Sequence, residues 1–79
     1  MKSKELFEEL GFKYYEDDGF DCYKKETQNR LETNYVSFNR YNREVFLLNK
    51  SKESGIYLTS KLIKAINKRM NELEGVDNE

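Results

Sequence analysis

The residues best suited to chemistry are a set of aromatic side chains, three arginines in predicted turns, a group of aspartates and one cysteine. The chain has no histidine. Without an imidazole there is no Ser-His or Cys-His nucleophile pair and no histidine metal ligand. Cys22 alone forms neither an internal disulfide nor a structural zinc site, which takes four Cys or His ligands. We therefore expect no enzyme activity, no metal and no cofactor.

The acidic residues give only a weak hint of a site. Asp17, Asp18 and Asp21 lack the spacing of an EF-hand loop, and the bidentate glutamate at position twelve of such a loop is missing. Two carboxylates brought together by the fold could support hydrolysis, but the short predicted loops build no visible cleft. Cys22 falls on the predicted core phase of its strand and is expected to be a small buried hydrophobe.

Length and charge restrict the class of protein. The chain has 79 residues, of which 15 are acidic and 14 basic, for a net charge of −1. That balance creates no field that would attract nucleic acid or anionic lipid. No apolar run approaches the ~20 residues of a membrane span, and no signal-peptide pattern opens the chain. We expect a single cytoplasmic domain over residues 1–75, with a frayed tail at residues 76–79.

The element that organises the chain is a predicted amphipathic helix between Thr59 and Gly75. Thr59 or Ser60 can cap its start, and Gly75 can end it in the left-handed conformation. Its apolar stripe has the helical spacing of three and four, and three lysines lie on the opposite side. The stripe consists of Leu62, Ile63, Ile66, Met70 and Leu73, and the lysines are Lys61, Lys64 and Lys68. Such a face must cover another layer.

The upstream sequence predicts that layer. A short helix capped by Ser3 runs to Leu10 and stops at Gly11. Alternation with a period of two then predicts strands at residues 12–15, 20–26, 31–38 and 44–48, and a short last strand at 56–58. Asp18-Gly19 is a favoured hairpin pair. The fold class is α+β, with two layers: an antiparallel meander of four or five strands and both terminal helices packed on one face.

Both faces of this sheet are predicted to be apolar. The expected core-facing set is Phe12, Tyr14, Phe20, Cys22, Val36, Phe38, Val45, Leu47, Ile56 and Leu58. The opposite phase contains Tyr15, Tyr23, Tyr35, Phe46, Leu48 and Tyr57. Cross-strand aromatic pairs that stabilise an exposed sheet are the plainer explanation of the second set. The functional explanation is a partner-binding surface anchored by Tyr15, Tyr23, Tyr35, Phe46 and Tyr57, with homodimerisation as its simplest form.

Three arginines follow asparagine in predicted turns. Arg30 is expected at one end of the meander, and Arg40 and Arg43 at the other, together with Glu16 and its acidic neighbours. Neutralisation by those acids is the plainer interpretation. A contact with an anion or an acidic partner is the alternative.

Several segments together resemble a known group of proteins. They are LFEELGF at residues 6–12, tyrosine-rich short strands with a turn at residues 39–43, and LIKAINK followed by ELEG at residues 62–68 and 72–75. In these the chain resembles small proteins encoded by phages and prophages of Gram-positive bacteria. The resemblance implies expression in a bacterial cytoplasm and action by binding a host protein, including inhibition of defence systems such as CRISPR. It carries over no functional residues.

The sequence thus predicts a non-enzymatic phage or prophage accessory protein that acts through protein–protein contact. The alternative is a nucleotide- or single-strand-binding module, in which the sheet tyrosines stack on bases and the arginines or the lysine stripe meet phosphates. The near-neutral charge disfavours both this module and an acidic mimic of nucleic acid.

Overall fold

The computed structural model describes residues 1–26, 32–50 and 58–75. The chain forms helix α1 (Ser3–Glu9), strands β1 (Lys13–Asp17), β2 (Phe20–Glu26), β3 (Thr33–Asn39) and β4 (Glu44–Lys50), and helix α2 (Ser60–Glu74). The strands form one antiparallel sheet in the order β1-β2-β3-β4, and side chains from both helices share one core with it. The predicted α+β meander with two helices on one face is confirmed.

The ends of α2 follow the predicted capping signals. The Thr59 hydroxyl accepts a hydrogen bond from the backbone N–H of Leu62 at 3.1 Å, which satisfies one of the free donors at the helix start. Gly75 adopts φ 74°, a left-handed conformation that closes the last turn. Leu62 and Ala65 are the buried residues of this helix, and Ile66, Met70 and Leu73 of the predicted stripe pack against the core. Ile63, also assigned to that stripe, is instead 43% exposed.

Helix α1 begins one residue earlier than the predicted cap requires. Lys2 is the capping residue and Ser3 is already helical. The Glu5 carboxylate accepts a hydrogen bond from the Lys2 backbone N–H at 3.1 Å, which takes the place of a serine cap. The helix ends as expected: Gly11 has φ 91°, and the Phe12 N–H donates to the Phe7 carbonyl at 3.0 Å.

Of the predicted last strand, residues 56 and 57 lie outside the described residues, and Leu58 is not in a strand. The predicted tail at residues 76–79 also lies outside them. Among the described residues the sheet has four strands. The predicted Asp-Gly turn joins β1 to β2, with Asp18 at φ 42° and Gly19 at φ 89°. Positive φ at both central residues is the signature of a tight two-residue hairpin.

Phe7 of α1 lies at the centre of the core and is fully buried. Its ring stacks on Tyr23 of β2 at a centroid distance of 4.0 Å, and the rings of Phe12 and Phe38 meet it edge-on at 5.6 and 5.9 Å. Val36, Leu62 and Ala65 complete the buried cluster. Burial raises the pKa of the Tyr23 hydroxyl to about 12.

The predicted phase of β2 is wrong. The sequence assigned Phe20 and Cys22 to the core side and Tyr23 to the outer side. The two-residue turn pairs Asp17 with Phe20 and therefore Tyr14 with Tyr23, which places both tyrosines on the helix side. Tyr23 is also opposite Val36 of β3, which is buried in the core. Tyr23 is 2% exposed and is a core residue, not a partner-binding one.

The two sides of the sheet give a matched stability test. Tyr23→Ala removes a buried ring that stacks on Phe7, and it should lower the free energy of unfolding by about 3–5 kcal/mol. Tyr15→Ala removes a ring that is 39% exposed on the other side of the sheet, and it should cost about 1 kcal/mol or less. Urea unfolding followed by circular dichroism measures both. Equal losses, or a larger loss for Tyr15→Ala, would contradict the observed phase of β2.

Candidate functional site

The sheet side that faces away from both helices is called the outer face here. Val36 and Phe38 are fully buried on the helix side of β3, so Tyr35 and Ser37 point to the outer face. The strand register extends this face across the sheet. Its apolar residues are Tyr15, Phe20, Cys22, Tyr35, Phe46 and Leu48.

The apolar residues of the outer face are unusually open to solvent. Phe46 is 60% exposed, Tyr15 39%, Phe20 38% and Leu48 36%. They come from three of the four strands, and Tyr35 and Cys22 lie between them in the register. An antiparallel sheet with one side in water normally carries polar residues there. This face carries exposed apolar side chains among polar ones such as Lys13, Ser37 and Glu44.

Cys22 lies at the centre of the outer face, covered by its neighbours. It is 4% exposed, and its Sγ lies 3.5 Å from the Ser37 hydroxyl. Partial burial is the main reason that the pKa of the Tyr15 hydroxyl is raised, and the nearby Cys22 and Tyr35 raise it further. Tyr15 and Cys22 are paired in one row that continues to Ser37, and Tyr35 lies in the neighbouring row, so the thiol fills space between these side chains.

Charged residues divide the outer face into two ends. Lys13 and Lys24 form one row with Tyr35 and Leu48, and Lys50 and Glu26 lie one step beyond. The Lys50 ammonium is 5.6 Å from the centre of the Tyr35 ring, and Lys24 pairs with Glu26 at 3.1 Å. At the other end, Asp17 and Glu44 share a row with Phe20 and Asn39. The first end is thus basic overall, and the second is acidic.

Three of the five predicted aromatic anchors lie together on the outer face: Tyr15, Tyr35 and Phe46. Tyr23 lies in the core, as described above, and Tyr57 lies outside the described residues. Phe20 is an outer-face residue that the sequence assigned to the core. The two-residue turn was visible in the sequence and, with antiparallel pairing, would have identified Phe20 and excluded Tyr23.

The predicted arginine contacts differ from one another. The Arg40 guanidinium contacts the Glu16 carboxylate at 2.8 Å and donates to the Gly19 carbonyl at 3.2 Å. Neutralisation by the acidic turn, the plainer of the two interpretations, is therefore confirmed for Arg40. Arg43 is exposed at φ 59° in the turn before β4. Arg30 lies outside the described residues.

A buried polar network, which no sequence pattern indicated, lies on the helix side of the sheet. Asp21 of β2 is 3% exposed, accepts a hydrogen bond from the Tyr14 hydroxyl at 3.0 Å, and forms an ion pair with Arg69 of α2. Arg69 also donates to Glu72 at 3.1 Å. Asp21 and Arg69 are 48 positions apart, so no local pattern links them.

Glu72 carries the network on to helix α1. Its carboxylate accepts from the Ser3 backbone N–H at 2.9 Å and from the Ser3 hydroxyl at 2.6 Å. Burial alone would raise the pKa of Glu72, but the hydrogen bonds from Ser3 and Arg69 outweigh it and lower the pKa below its ordinary value. Burial and the hydrogen bond to Asp21 raise the pKa of the Tyr14 hydroxyl. The network joins both helices to β2, and its role is therefore structural.

Other kinds of site have little support in the described part of the chain. Within residues 1–26, 32–50 and 58–75, no group of three His, Cys, Asp or Glu side chains is arranged to hold a metal ion. Over the same residues, no helix combines the length and the apolar character needed to cross a membrane. An open groove of about 600 Å³ lies along the two helices. Leu6, Ile63 and Lys64 are among the residues that line it, and Ile63 is 43% exposed.

Comparison with known proteins gives no relative: no family model, no curated protein and no solved structure matches the chain.

The buried network predicts a specific acid sensitivity. The lowered pKa of Glu72 means that its ionised form stabilises the fold above the ordinary glutamate pKa of about 4.3, and that this stabilisation is lost as the pH falls through the folded-state value. Glu72→Gln should lower the free energy of unfolding by about 1–3 kcal/mol at pH 7. The difference from the original chain should shrink below about pH 4.

Urea unfolding at pH 7 and pH 3 measures this difference. Glu8→Gln, at an exposed position of α1, is the matched control and should change stability little at either pH. A Glu72→Gln effect that is the same at both pH values would contradict the assigned role of the carboxylate.

Proposed function

We propose that this chain is a non-enzymatic accessory protein that acts by protein–protein contact through its outer face. The observation that carries the proposal is the exposure of Phe46, Tyr15, Phe20 and Leu48 on one continuous side of a sheet. Contiguous apolar patches on small proteins mark interaction surfaces, and tyrosine and phenylalanine are enriched at such contacts.

The construction of the sheet supports this proposal. The helix side of the sheet packs on the core around Phe7 and is linked to the helices by the polar network around Arg69. The outer face therefore belongs to a sheet that these contacts hold in place. A surface that is already ordered loses little conformational entropy on binding. Aromatic side chains with few rotatable bonds add contact area at low entropic cost.

We propose binding rather than catalysis because of the way in which acidic side chains are paired with arginines. The acids Asp21, Glu72 and Glu16 are engaged with Arg69 or Arg40. A general base or nucleophile needs a partner placed for proton transfer to a substrate, and these acids are instead committed to holding elements together.

The resemblance to small phage proteins extends the proposal to its biological setting. It suggests a host protein as the partner, with a component of a defence system as one such target. The outer face has one basic end and one acidic end. This arrangement favours direct protein contact over mimicry of nucleic acid, because a mimic needs a broadly negative surface.

Affinity capture from lysates of Gram-positive bacteria, followed by mass spectrometry, tests the proposal. Tyr15→Ser with Phe46→Ser should remove most of the retained protein, because both side chains are exposed anchors of the outer face. Ile63→Ser is the matched control, since it removes an exposed apolar side chain from α2 on the opposite layer.

The double variant must remain folded by circular dichroism for the comparison to count. The proposal would be overturned if the double variant retained the same proteins as the original chain. It would also be overturned if the original chain retained no protein and did not associate with itself. Loss of retention with Ile63→Ser alone would move the binding surface to the helices.

The basic end of the outer face favours a second candidate function, the binding of single-stranded nucleic acid. Lys13 and Lys24 lie in the same row as Tyr35, and the Lys50 ammonium lies over its ring. A base stacked on an aromatic ring with cations for its phosphates is a common mode of single-strand binding.

Fluorescence anisotropy with labelled oligonucleotides tests this candidate. Binding should be detectable at low salt, should weaken steeply as salt is added, and should be lost in Lys13→Gln with Lys24→Gln. Lys61→Gln with Lys64→Gln, at exposed positions of α2, is the matched control. No binding at low salt would eliminate the candidate.

A further inference from the structure

We propose that the outer face binds a second copy of this chain, and that the two copies are related by a two-fold axis running across the strands. The proposal rests on the binding role proposed above for the outer face, and it names a second copy of the chain, in place of a host protein, as the occupant of that face.

The charge arrangement of the outer face supplies the main reason. Its basic end carries Lys13, Lys24 and Lys50 against Glu26, and its acidic end carries Asp17 and Glu44. The rows of Lys13 and Asp17 are four residues apart along β1, which is roughly 13 Å. The two ends are therefore far enough apart to be recognised separately, and a surface with opposite charges at its ends is complementary to itself when reversed.

Only one family of two-fold arrangements uses this complementarity. An axis parallel to the strands would keep their direction and reverse their order, so that the two acidic ends meet and Asp17 of one copy lies over Glu44 of the other. An axis across the strands reverses their direction, so that the basic end of each copy lies over the acidic end of the other. Each attractive contact then occurs twice, as an isologous interface requires. Like charges placed opposite each other would oppose the first arrangement.

The middle of the face is suited to the same arrangement. With the axis across the strands, each strand lies over its own counterpart, and the central row of Tyr15, Cys22, Ser37 and Phe46 meets the same row of the second copy. Two sheets packed in this way form an aligned sandwich and lie about 10 Å apart. The exposed ring of Phe46 would then be enclosed.

The size of the face indicates a reversible dimer. β1 has five residues and the other three strands have seven, and with strands about 4.8 Å apart they cover roughly 420 Å² in projection. Two such faces fall in the range of weak and transient contacts, below that of stable specific interfaces. We therefore expect the dimer to form between about 10 μM and about 1 mM, where weak complexes are populated.

Charge reversal tests both the partner and the axis. The acidic variant, Lys13→Glu with Lys24→Glu, makes both ends of the outer face acidic. The basic variant, Asp17→Lys with Glu44→Lys, makes both ends basic. Each variant alone should show a dissociation constant raised at least about tenfold, because like charges meet at both ends of its dimer. An equimolar mixture should dimerise again, because opposite charges then meet at both ends.

Sedimentation equilibrium measures the oligomeric mass. Native mass spectrometry of a mixture in which one variant is uniformly isotope-labelled distinguishes a mixed dimer from either homodimer. Lys61→Glu with Lys64→Glu and Glu8→Lys with Glu9→Lys are the controls. They change the net charge by the same amounts at exposed positions on the helices. Both controls should dimerise like the original chain.

Each outcome decides the proposal. A mixed dimer with weakened homodimers supports it. An original chain that stays monomeric at about 1 mM overturns self-pairing, whereas the capture experiment with Tyr15→Ser and Phe46→Ser separately decides whether the outer face binds another protein. A dimer that persists in that double variant uses a different surface and overturns self-pairing through the outer face, and the capture experiment still decides the function proposed above. A dimer weakened by that double variant but unaffected by charge reversal overturns the axis.

Discussion

The two-residue turn between β1 and β2 decides which side chains of the sheet lie under the helices. Positive φ at Asp18 and Gly19 closes the turn and pairs Asp17 with Phe20. Because side chains alternate along a strand, this pairing also determines the direction of every other residue in β2. Tyr23 is thereby brought under Phe7, and Phe20 is directed to the outer face. A turn one residue longer would exchange these roles.

The same turn creates the need for the buried polar network. With Tyr23 on the helix side, Asp21 lies on that side as well, where an unpaired carboxylate would be costly. Arg69 meets that requirement from α2, and Ser3 and Glu72 extend the contact to α1. Such a pair adds little net stability compared with apolar packing, but an arrangement in which Arg69 missed Asp21 would be strongly penalised. The network therefore specifies how the helices lie on the sheet.

Local signals were enough to predict the helices, the turn and the meander. Thr59, Gly75 and the Asp18-Gly19 pair act within a few residues of their own positions, and the apolar stripe of α2 needs no distant information. The phase of β2 was ambiguous, because both of its sides carry apolar residues and one side also carries Asp21. The pairing across the two-residue turn resolves the phase, and Asp21 on the helix side is then paired with Arg69, 48 positions away, which no local pattern links to it. The predicted outer-face residues agree with the structure at Tyr15 and Tyr35, and at Phe46 although both sides of its strand are apolar, whereas the prediction is wrong at Tyr23.

The bond between Ser3 and Glu72 has a consequence for the order of folding. Neighbouring strands of a meander form contacts between residues close in sequence, whereas Ser3 and Glu72 are 69 positions apart. Closing a loop of that length carries a larger entropic cost than closing a hairpin. We expect the hairpins to form early and the docking of α1 beside α2 to complete the fold, so that a nascent chain leaving the ribosome stays unfinished until its last helix has emerged.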